Sequence, residues 1–195
     1  LCNVKISRES IILECDIQKG SISIINDQTT ESENVFNIKV TAKPRVLIVG
    51  AVHISQHLIP MAKEADFDVV LIDPRSHFGT SERFPEVEVS NDWPDEALKN
   101  FKLSDKDCLV TLSHDPKIDD PALEIALASP LFSICCLGSK RTHAARKNRL
   151  LNSGITEQQF DRIHGPAGLD INAKTPAEIA ISILAELIKD WRGRA

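Results

Sequence analysis

The first candidate ligand-binding segment is the short turn Gly50-Ala51-Val52-His53, which follows an apolar run at 45–49. A dinucleotide fingerprint has a second glycine at position 52, because the pyrophosphate approaches the backbone closely there. Val52 crowds that approach and resists the positive φ that a glycine supplies. Asp73 follows at about the spacing, roughly 20 residues, at which an acidic residue binds a ribose hydroxyl. The turn predicts either a weakened nucleotide site or a plain strand-turn-helix corner.

A second candidate is the basic turn Gly138-Ser139-Lys140-Arg141. Ser139 is a suitable N-cap for a helix that runs to about Asn152 and contains no acidic residue. Amide groups at a helix N-terminus bind anions, and Lys140 and Arg141 add positive charge at the same end. The turn therefore predicts a site for a phosphate or a similar anion. The alternative is a solvated basic face, which readily accounts for three later cations of the helix: Arg146, Lys147 and Arg149.

A third candidate is Ser113-His114-Asp115, at the end of an apolar run that predicts a buried strand. Ligands bind at the carboxyl ends of strands in open α/β sheets. His114 can hydrogen-bond a ligand or transfer a proton there, or it is an ordinary loop residue. Asp115 is either a carboxylate ligand or the N-cap of a short turn that contains Pro116.

The fourth candidate is the loop Gly165-Pro166-Ala167-Gly168-Leu169-Asp170. Two glycines and a proline define a tight loop that can bring backbone amides to a ligand. A turn before a capped helix explains the loop equally well. That helix has Thr175 as its N-cap, Pro176 at its first position and Glu178 completing a capping box.

The elements that must position these turns alternate between strands and helices from residue 45 onward, which is typical of a parallel sheet. The predicted strands lie at 45–49, 69–72, near 87–89, 108–112 and 132–137. The predicted helices lie at 53–65, 95–101, 121–128, 139–152 and from 176 onward. Residues 1–42 instead contain three short apolar runs without helical periodicity, at 11–13, 22–25 and 35–40. We predict an α/β fold: a Rossmann-like parallel sheet with helices on both faces over residues 43–195, preceded by a small β-rich N-terminal segment over residues 1–42.

Composition narrows the class of protein. The net charge of −5 does not indicate nucleic acid or an anionic membrane as a partner. No apolar stretch approaches the roughly 18 residues that span a bilayer. The cysteines form no CxxC pair and no zinc-like spacing with histidine, so we predict no metal site and a reducing, cytoplasmic compartment. The five cysteines are Cys2, Cys15, Cys108, Cys135 and Cys136, of which the last two are the candidates for a reactive thiol.

Several of these segments, in order, resemble the Rossmann domain of the XdhC/CoxI family of molybdenum-cofactor accessory proteins. The family pattern is GAGH, then DPR, a histidine-aspartate pair, GSRRT and finally PxGLDIGAKTPxEIAxSIxAE. The matching segments are Gly50 to His53, Asp73-Pro74-Arg75, His114-Asp115, Gly138 to Thr142 and Pro166 to Glu186. The resemblance covers about residues 44–192, and the last segment is its most specific part. Val52, Ala167 and Asn172 depart from the family pattern.

The resemblance implies a cofactor chaperone rather than an enzyme, with no catalytic residue of its own. Such a protein binds molybdenum cofactor, a pterin that carries a phosphate or a dinucleotide, and delivers it to a xanthine dehydrogenase-like molybdoenzyme. A cysteine desulfurase that installs the cofactor's sulfur is a further implied partner. The predicted cofactor-binding residues are Gly50, His53, Asp73, Arg75, His114, Asp115, Gly138, Ser139, Lys140, Arg141, Gly168 and Asp170.

Two other functions remain open at this point. One is an NAD(P)-dependent oxidoreductase that uses Gly50 and Asp73 for the cofactor and His114 as acid/base, although Val52 weakens that cofactor site. The other is a non-binding assembly scaffold, because the family's glycine-rich cysteine motif is missing from residues 1–42, which resemble at most a remnant of the family's N-terminal domain. The unpaired β character of that segment predicts a homodimer.

Overall fold

A computed structural model describes residues 11–25 and 34–194. The chain divides into two compact units, one ending at Lys43 and the other beginning at Pro44. None of the described helices combines the length and the apolar composition that a bilayer span requires.

The first unit contains a three-stranded antiparallel sheet in the order β2-β1-β3. Its strands are β1 (Ile11–Asp16), β2 (Ser21–Ile25) and β3 (Val35–Val40). The β1–β2 turn ends at Gly20, whose φ of +62° favours glycine. The prediction of a small β-rich segment is confirmed.

One face of this small sheet is apolar. In the register, Leu13 lies between Ile24 and Ile38, and alternate residues of a strand share a face. The side chains on this face include large apolar groups that remain exposed. Their exposed fractions are 70% for Ile22, 64% for Ile24, 47% for Phe36 and 45% for Ile38.

The second unit contains a six-stranded parallel sheet in the order β6-β5-β4-β7-β8-β9. Its strands are β4 (Arg45–Val49), β5 (Asp68–Ile72), β6 (Glu88–Ser90), β7 (Asp107–Thr111), β8 (Ser133–Cys136) and β9 (Ile163–His164). The central strands are rich in Val, Ile and Leu because both faces of the sheet are covered. The strand order reverses between β4 and β7, which is the switch point of a Rossmann fold.

Helices cover both faces of the parallel sheet, as predicted. They are α1 (His53–Glu64), α2 (Pro94–Lys99), α3 (Pro116–Leu127), α4 (Lys140–Asn152), α5 (Glu157–Phe160) and α6 (Pro176–Arg192). Val46 and Ile48 of β4 pack with α1 and α6 in one apolar cluster. Leu47 and Val49 pack with α2, α3 and α4 in the other.

Helix α3 begins at Pro116, well before the predicted start at Pro121. The Asp115 side chain accepts a hydrogen bond from Lys117 N over 3.0 Å, and Pro116 occupies the first turn, where its missing N–H costs nothing. Pro121 therefore lies inside the helix and does not begin it. The capping box of α6 is confirmed, since Thr175 Oγ1 accepts from Glu178 N and Glu178 Oε2 accepts from Thr175 N.

Candidate functional site

The loops that follow β4, β7 and β8 lie along the carboxyl edge of the parallel sheet. Each contains a residue in the left-handed region, with φ of +115° at Gly50, +63° at His114 and +144° at Gly138. A Cβ at Gly50 would lie 2.8 Å from Ser113 N, so the first two loops are in direct contact. Only glycine satisfies both the φ and the close approach at position 50.

His114 is exposed at this edge in a conformation that costs a non-glycine residue about 1–2 kcal/mol. The residues around it fix the loop. Ser113 Oγ accepts from Asp115 N over 3.0 Å and donates to Asp119 Oδ1 over 2.7 Å. Backbone strain that neighbouring hydrogen bonds hold in place is a feature of ligand-binding loops.

Asp115 and Asp119 both stabilise this loop. Of the two roles predicted for Asp115, the structure shows the N-cap. Asp119 is buried, and burial raises its pKa to about 6, against the hydrogen bond from Ser113 and the charge of Arg146. A buried carboxyl group therefore lies beneath the β7 loop.

Asp73 is buried beneath the Gly50 turn, and both of its carboxylate oxygens accept hydrogen bonds. It accepts from Ala51 N over 2.7 Å, from Arg75 N over 3.0 Å, and from Arg75 Nε and Nη2 over 2.9 and 2.7 Å. Burial acts to raise the pKa of Asp73, but these hydrogen bonds and the Arg75 charge lower it overall. The Asp73–Arg75 pair thus fastens the first turn to β5.

The last two residues of the Gly50–His53 turn lie at the start of α1. Val52 is the N-cap, with a φ of −102° that any residue adopts and with no side-chain cap. His53 is exposed at the first helical position. Arg83 Nη1 donates to the Ala51 carbonyl over 3.2 Å. Backbone geometry alone does not demand glycine at position 52.

A cleft of about 430 Å³ lies between the start of α4 and the loop that leads into α6. We call it the carboxyl-edge cleft. Among the predicted site residues, Gly138, Lys140, Gly168 and Asp170 line it. Its other walls include Leu137, Pro166, Ala167, Leu169, Ile171, Asn172, Ala173, Ile179 and Ser182.

Two residues of the 165–173 loop, which precedes α6, have a left-handed backbone conformation. Gly168 has a φ of +96°, and a Cβ there would lie 2.1 Å from Ser182 Oγ. Asn172 has a φ of +57° and stands where the family pattern has glycine. Asparagine tolerates the left-handed region better than most residues, so this departure preserves the backbone.

Helix α4 begins after the Ser139 N-cap, as predicted, and its first residue lies at the cleft. The Ser139 side chain accepts from Thr142 N over 3.1 Å, and the first turn contains no acidic residue. The first backbone N–H groups of a helix have no partner within it. Lys140 lines the cleft, whereas Arg141 is exposed and is not part of its lining.

The later cations of α4 differ from the prediction of a solvated face. Arg146 is only 2% exposed, and its Nη2 donates to the Leu137 carbonyl over 3.0 Å. Its Nε and Nη1 have no hydrogen-bond partner among the described residues. For Arg146 the prediction was wrong, because the helix turns this position towards the sheet. Lys147 pairs with Glu157, and Arg149 with Asp120.

The described cysteines are buried and free. Burial raises the pKa of Cys136 to about 12 and the pKa values of Cys108 and Cys135 well above the ordinary value. Thiolate is the reactive form, so these environments disfavour a reactive thiol. Cys2 lies outside the described residues.

Sequence reasoning missed one cluster of side chains. Cys135 in β8, His164 in β9 and Glu186 in α6 bring a thiol, an imidazole and a carboxylate together. These residues are far apart in sequence, and β9 is only two residues long. The one local signal is that Glu186 and Asp190 are a helical turn apart on α6.

Comparison with known proteins identifies the family. A family model described as the XdhC Rossmann domain matches residues 46–187. This chain belongs to the XdhC family. The resemblance seen in the sequence is therefore confirmed, and residues 46–187 are an XdhC Rossmann domain.

Relatives of this XdhC chain are longer than it is. A probable xanthine dehydrogenase subunit of Bacillus subtilis (strain 168) is 32% identical over 164 residues, which are 84% of this chain and 47% of that protein. The molybdenum cofactor insertion chaperone PaoD of Escherichia coli (strain K12) is 25% identical over 182 residues, 92% of this chain and 51% of PaoD. The chain thus spans about half the length of these two relatives.

A solved structure supports the fold. The crystal structure of a xanthine dehydrogenase from Bacillus halodurans matches with a TM-score of 0.80 and 26% identity, covering 99% of this chain and 63% of that chain. The match confirms the predicted α/β class with a Rossmann-like sheet.

Proposed function

We propose that this XdhC domain binds molybdenum cofactor in the carboxyl-edge cleft and takes part in delivering it to a xanthine dehydrogenase-like molybdoenzyme. The observation that carries the proposal is the position of Lys140 and the start of α4 in the wall of that cleft. The first N–H groups of a helix, a lysine and a first turn without acidic residues together suit a phosphate.

The residues of the cleft suit both ends of a phosphate-bearing pterin. Lys140 and Gly138 provide the anion-binding end, and the buried guanidinium of Arg146 adds positive potential behind Leu137. Asp170, on the other wall, provides an acceptor for the amino and N–H groups of a pterin. When bound, the cofactor supplies the molybdenum chemistry, while these residues hold and orient it.

The names of two relatives support a role in cofactor maturation. One is a molybdenum cofactor insertion chaperone, and the other is a probable xanthine dehydrogenase subunit. We extend this role to the present chain and retain a cysteine desulfurase and a second copy of the chain as its proposed partners. An accessory role needs no catalytic residue, and His114 is not part of the cleft lining.

The oxidoreductase alternative has less support from the geometry. A ribose hydroxyl needs a free carboxylate oxygen, and both oxygens of Asp73 already accept two hydrogen bonds each. A nucleotide would have to displace the Asp73–Arg75 pair or the bond to Ala51.

The proposal is tested by titrating the protein with molybdopterin species, NAD(H) and NADP(H). Lys140→Glu should weaken molybdopterin binding at least about tenfold, the equivalent of roughly 1.4 kcal/mol. Lys147→Glu is the matched control, because it reverses the same charge on the same helix outside the cleft lining. Equal affinities of the two variants, or tighter binding of NAD(H) than of molybdopterin, would contradict the proposal.

Delivery is tested with a cofactor-free xanthine dehydrogenase-like enzyme. Loaded wild-type protein should activate it faster than free cofactor does, and Lys140→Glu should lose that advantage. If the unloaded protein activates the enzyme equally well with free cofactor, the chain acts as a scaffold.

The proposed homodimer is tested on the small sheet. Ile24→Lys places a charge on its exposed apolar face, while Ser23→Lys changes the opposite face. Only Ile24→Lys should convert a dimer to a monomer in analytical ultracentrifugation. A wild-type protein that sediments as a monomer would remove the dimer from the proposal.

A further inference from the structure

Four side chains converge on the face of the parallel sheet that α6 covers. Cys135 and His164 are register partners on the neighbouring strands β8 and β9. Glu186 and Asp190 lie a helical turn apart on α6 and therefore project from the same side of that helix. We call these four residues the Cys135 cluster.

Glu186 contacts both Cys135 and His164, and Asp190 contacts His164. Cys135 Sγ lies 3.4 Å from Glu186 Oε2, and His164 Nδ1 lies 3.1 Å from Glu186 Oε1. His164 Nδ1 also lies 3.4 Å from Asp190 Oδ2. One ligand atom each from Cys135, His164 and Glu186 can be chosen so that all lie within 4.8 Å of one another.

These separations resemble those around a tetrahedral zinc ion. Bond lengths of about 2.3 Å to sulfur and about 2.0–2.1 Å to nitrogen and oxygen place the ligand atoms roughly 3.3–3.6 Å apart. The cluster offers one thiolate, one imidazole and two carboxylates, and zinc binds all three types. A hard cation such as Mg²⁺ would not select the thiol.

Burial in the cluster is graded from the sheet outward. Cys135 is fully buried, whereas the side chains of Glu186 and Asp190 are 13% and 17% exposed. The His164 side chain is 39% exposed, so the cluster has an entry path from solvent.

We propose that Cys135, His164 and Glu186 form a Zn²⁺ site that leaves the fourth position open, on the side where Asp190 contacts His164. Binding replaces the thiol proton of Cys135 with a sulfur–zinc bond, and the proton leaves to solvent. Without the ion, the same groups satisfy one another as a hydrogen-bonded cluster, which keeps the ligands in place. The zinc proposal does not rest on the proposed cofactor, although Glu186 Oε2 also accepts a hydrogen bond from Gly168 N in the wall of the carboxyl-edge cleft.

The test uses the purified full chain, stripped with a chelator and then titrated with Zn²⁺ or Co²⁺ alone. We expect one ion per chain, and with Co²⁺ an absorption band from a cobalt–thiolate bond. Cys135→Ser should remove that band, and His164→Gln should weaken zinc binding at least tenfold.

Cys136→Ser is the matched control. Cys136 is an adjacent buried cysteine whose thiol contacts Thr111 Oγ1 and which packs in the opposite apolar cluster. It should bind zinc as the wild type does. Failure of the wild type to bind zinc, a cobalt spectrum without the thiolate band, or equal losses in Cys135→Ser and Cys136→Ser would overturn the proposal.

Discussion

The two sheets of this protein both contain apolar side chains, but the surroundings of those side chains differ greatly. Leu109, in the centre of the parallel sheet, is fully buried between two layers of helices, whereas Ile24 of the small sheet is 64% exposed. Alternation in a strand specifies which face is apolar, but not what covers that face. Among the described residues, the parallel sheet therefore lies in a buried apolar core, whereas the small sheet presents an apolar surface.

Truncating one apolar side chain in each sheet should give the largest contrast. Leu109→Ala leaves a cavity in the covered sheet and should lower the free energy of unfolding by about 3–5 kcal/mol. At concentrations where the protein is monomeric, Ile24→Ala should change it by less than about 0.5 kcal/mol, since Ile24 is largely exposed within one chain. Urea unfolding, with hydrogen exchange on peptides of each sheet, measures both. A large cost for Ile24→Ala would mean that its face is covered in solution.

The next largest contrast should come from two loop glycines with positive φ, Gly50 in the second unit and Gly20 in the first. Gly50→Ala meets both a φ of +115° and a backbone atom at 2.8 Å, so we expect a loss of about 3 kcal/mol. At Gly20 the φ is +62° and an added Cβ would meet no atom within 4 Å. Gly20→Ala should therefore cost about 1 kcal/mol from backbone strain alone. Thermal unfolding of both variants checks the difference, and equal costs would show that the Gly50 and Ser113 loops can separate.

One carboxyl group in each unit should contribute to the free energy of unfolding with the opposite pH dependence. The pKa of Asp119 is raised to about 6 by burial, so the folded state binds more protons between about pH 4 and pH 6. Its contribution to the free energy of unfolding therefore falls as the pH rises through that window. The Asp119→Asn variant has no carboxyl group to ionise at this position. The difference in free energy of unfolding between the variant and the wild type should therefore shift in favour of the variant by roughly 2–3 kcal/mol from about pH 4 to pH 7.

Asp16 in the small unit provides the comparison for Asp119. Hydrogen bonds from Lys19 lower the pKa of Asp16, so its contribution is present above the ordinary value of 3.8 and is lost as the pH falls. Asp16→Asn should thus reduce stability at neutral pH and lose that effect in acid. Unfolding measured across pH would contradict this contrast if both variants changed in the same direction.

The smallest changes in the free energy of unfolding should come from two positions with a left-handed backbone, one occupied by glycine and the other by asparagine. Gly20 has a φ of +62° and Asn172 a φ of +57°. Gly20→Asn and Asn172→Gly should each change the free energy of unfolding by less than about 0.5 kcal/mol, because both residues tolerate this region. Thermal unfolding of the two variants measures these changes. A larger loss for Asn172→Gly would indicate that the asparagine side chain itself holds the cleft wall.

Local signals predicted much of the fold. The capping box of Thr175 and Glu178, the Ser139 N-cap and the alternation of strands and helices depend on residues close in sequence. The start of α3 was misplaced because Pro121 and Pro116 both satisfy the preference for proline near a helix start, and the Asp115 cap decides between them. The short elements α5 and β9 carry too few residues for a periodic pattern.

The candidate site was harder to predict because its geometry depends on packing. Lys140 and Arg141 are neighbours in a basic run, yet only Lys140 lines the cleft. Arg146 belongs to the same run and is buried under Leu137. Composition cannot distinguish these three positions, whereas the orientation of α4 on the sheet does. The Cys135 cluster depends on strand register and on α6, which sequence spacing does not reveal.

Glu186 has a consequence for both candidate sites, because one of its oxygens also accepts from Gly168 N over 2.7 Å. Gly168 is part of the wall of the carboxyl-edge cleft, so a single carboxylate joins that wall to the Cys135 cluster. Thermodynamic reciprocity then requires that an ion which alters the affinity for a pterin has its own affinity altered by the same factor when the pterin binds. If both proposals hold, the Glu186 carboxylate is the group through which binding at one site would change affinity at the other.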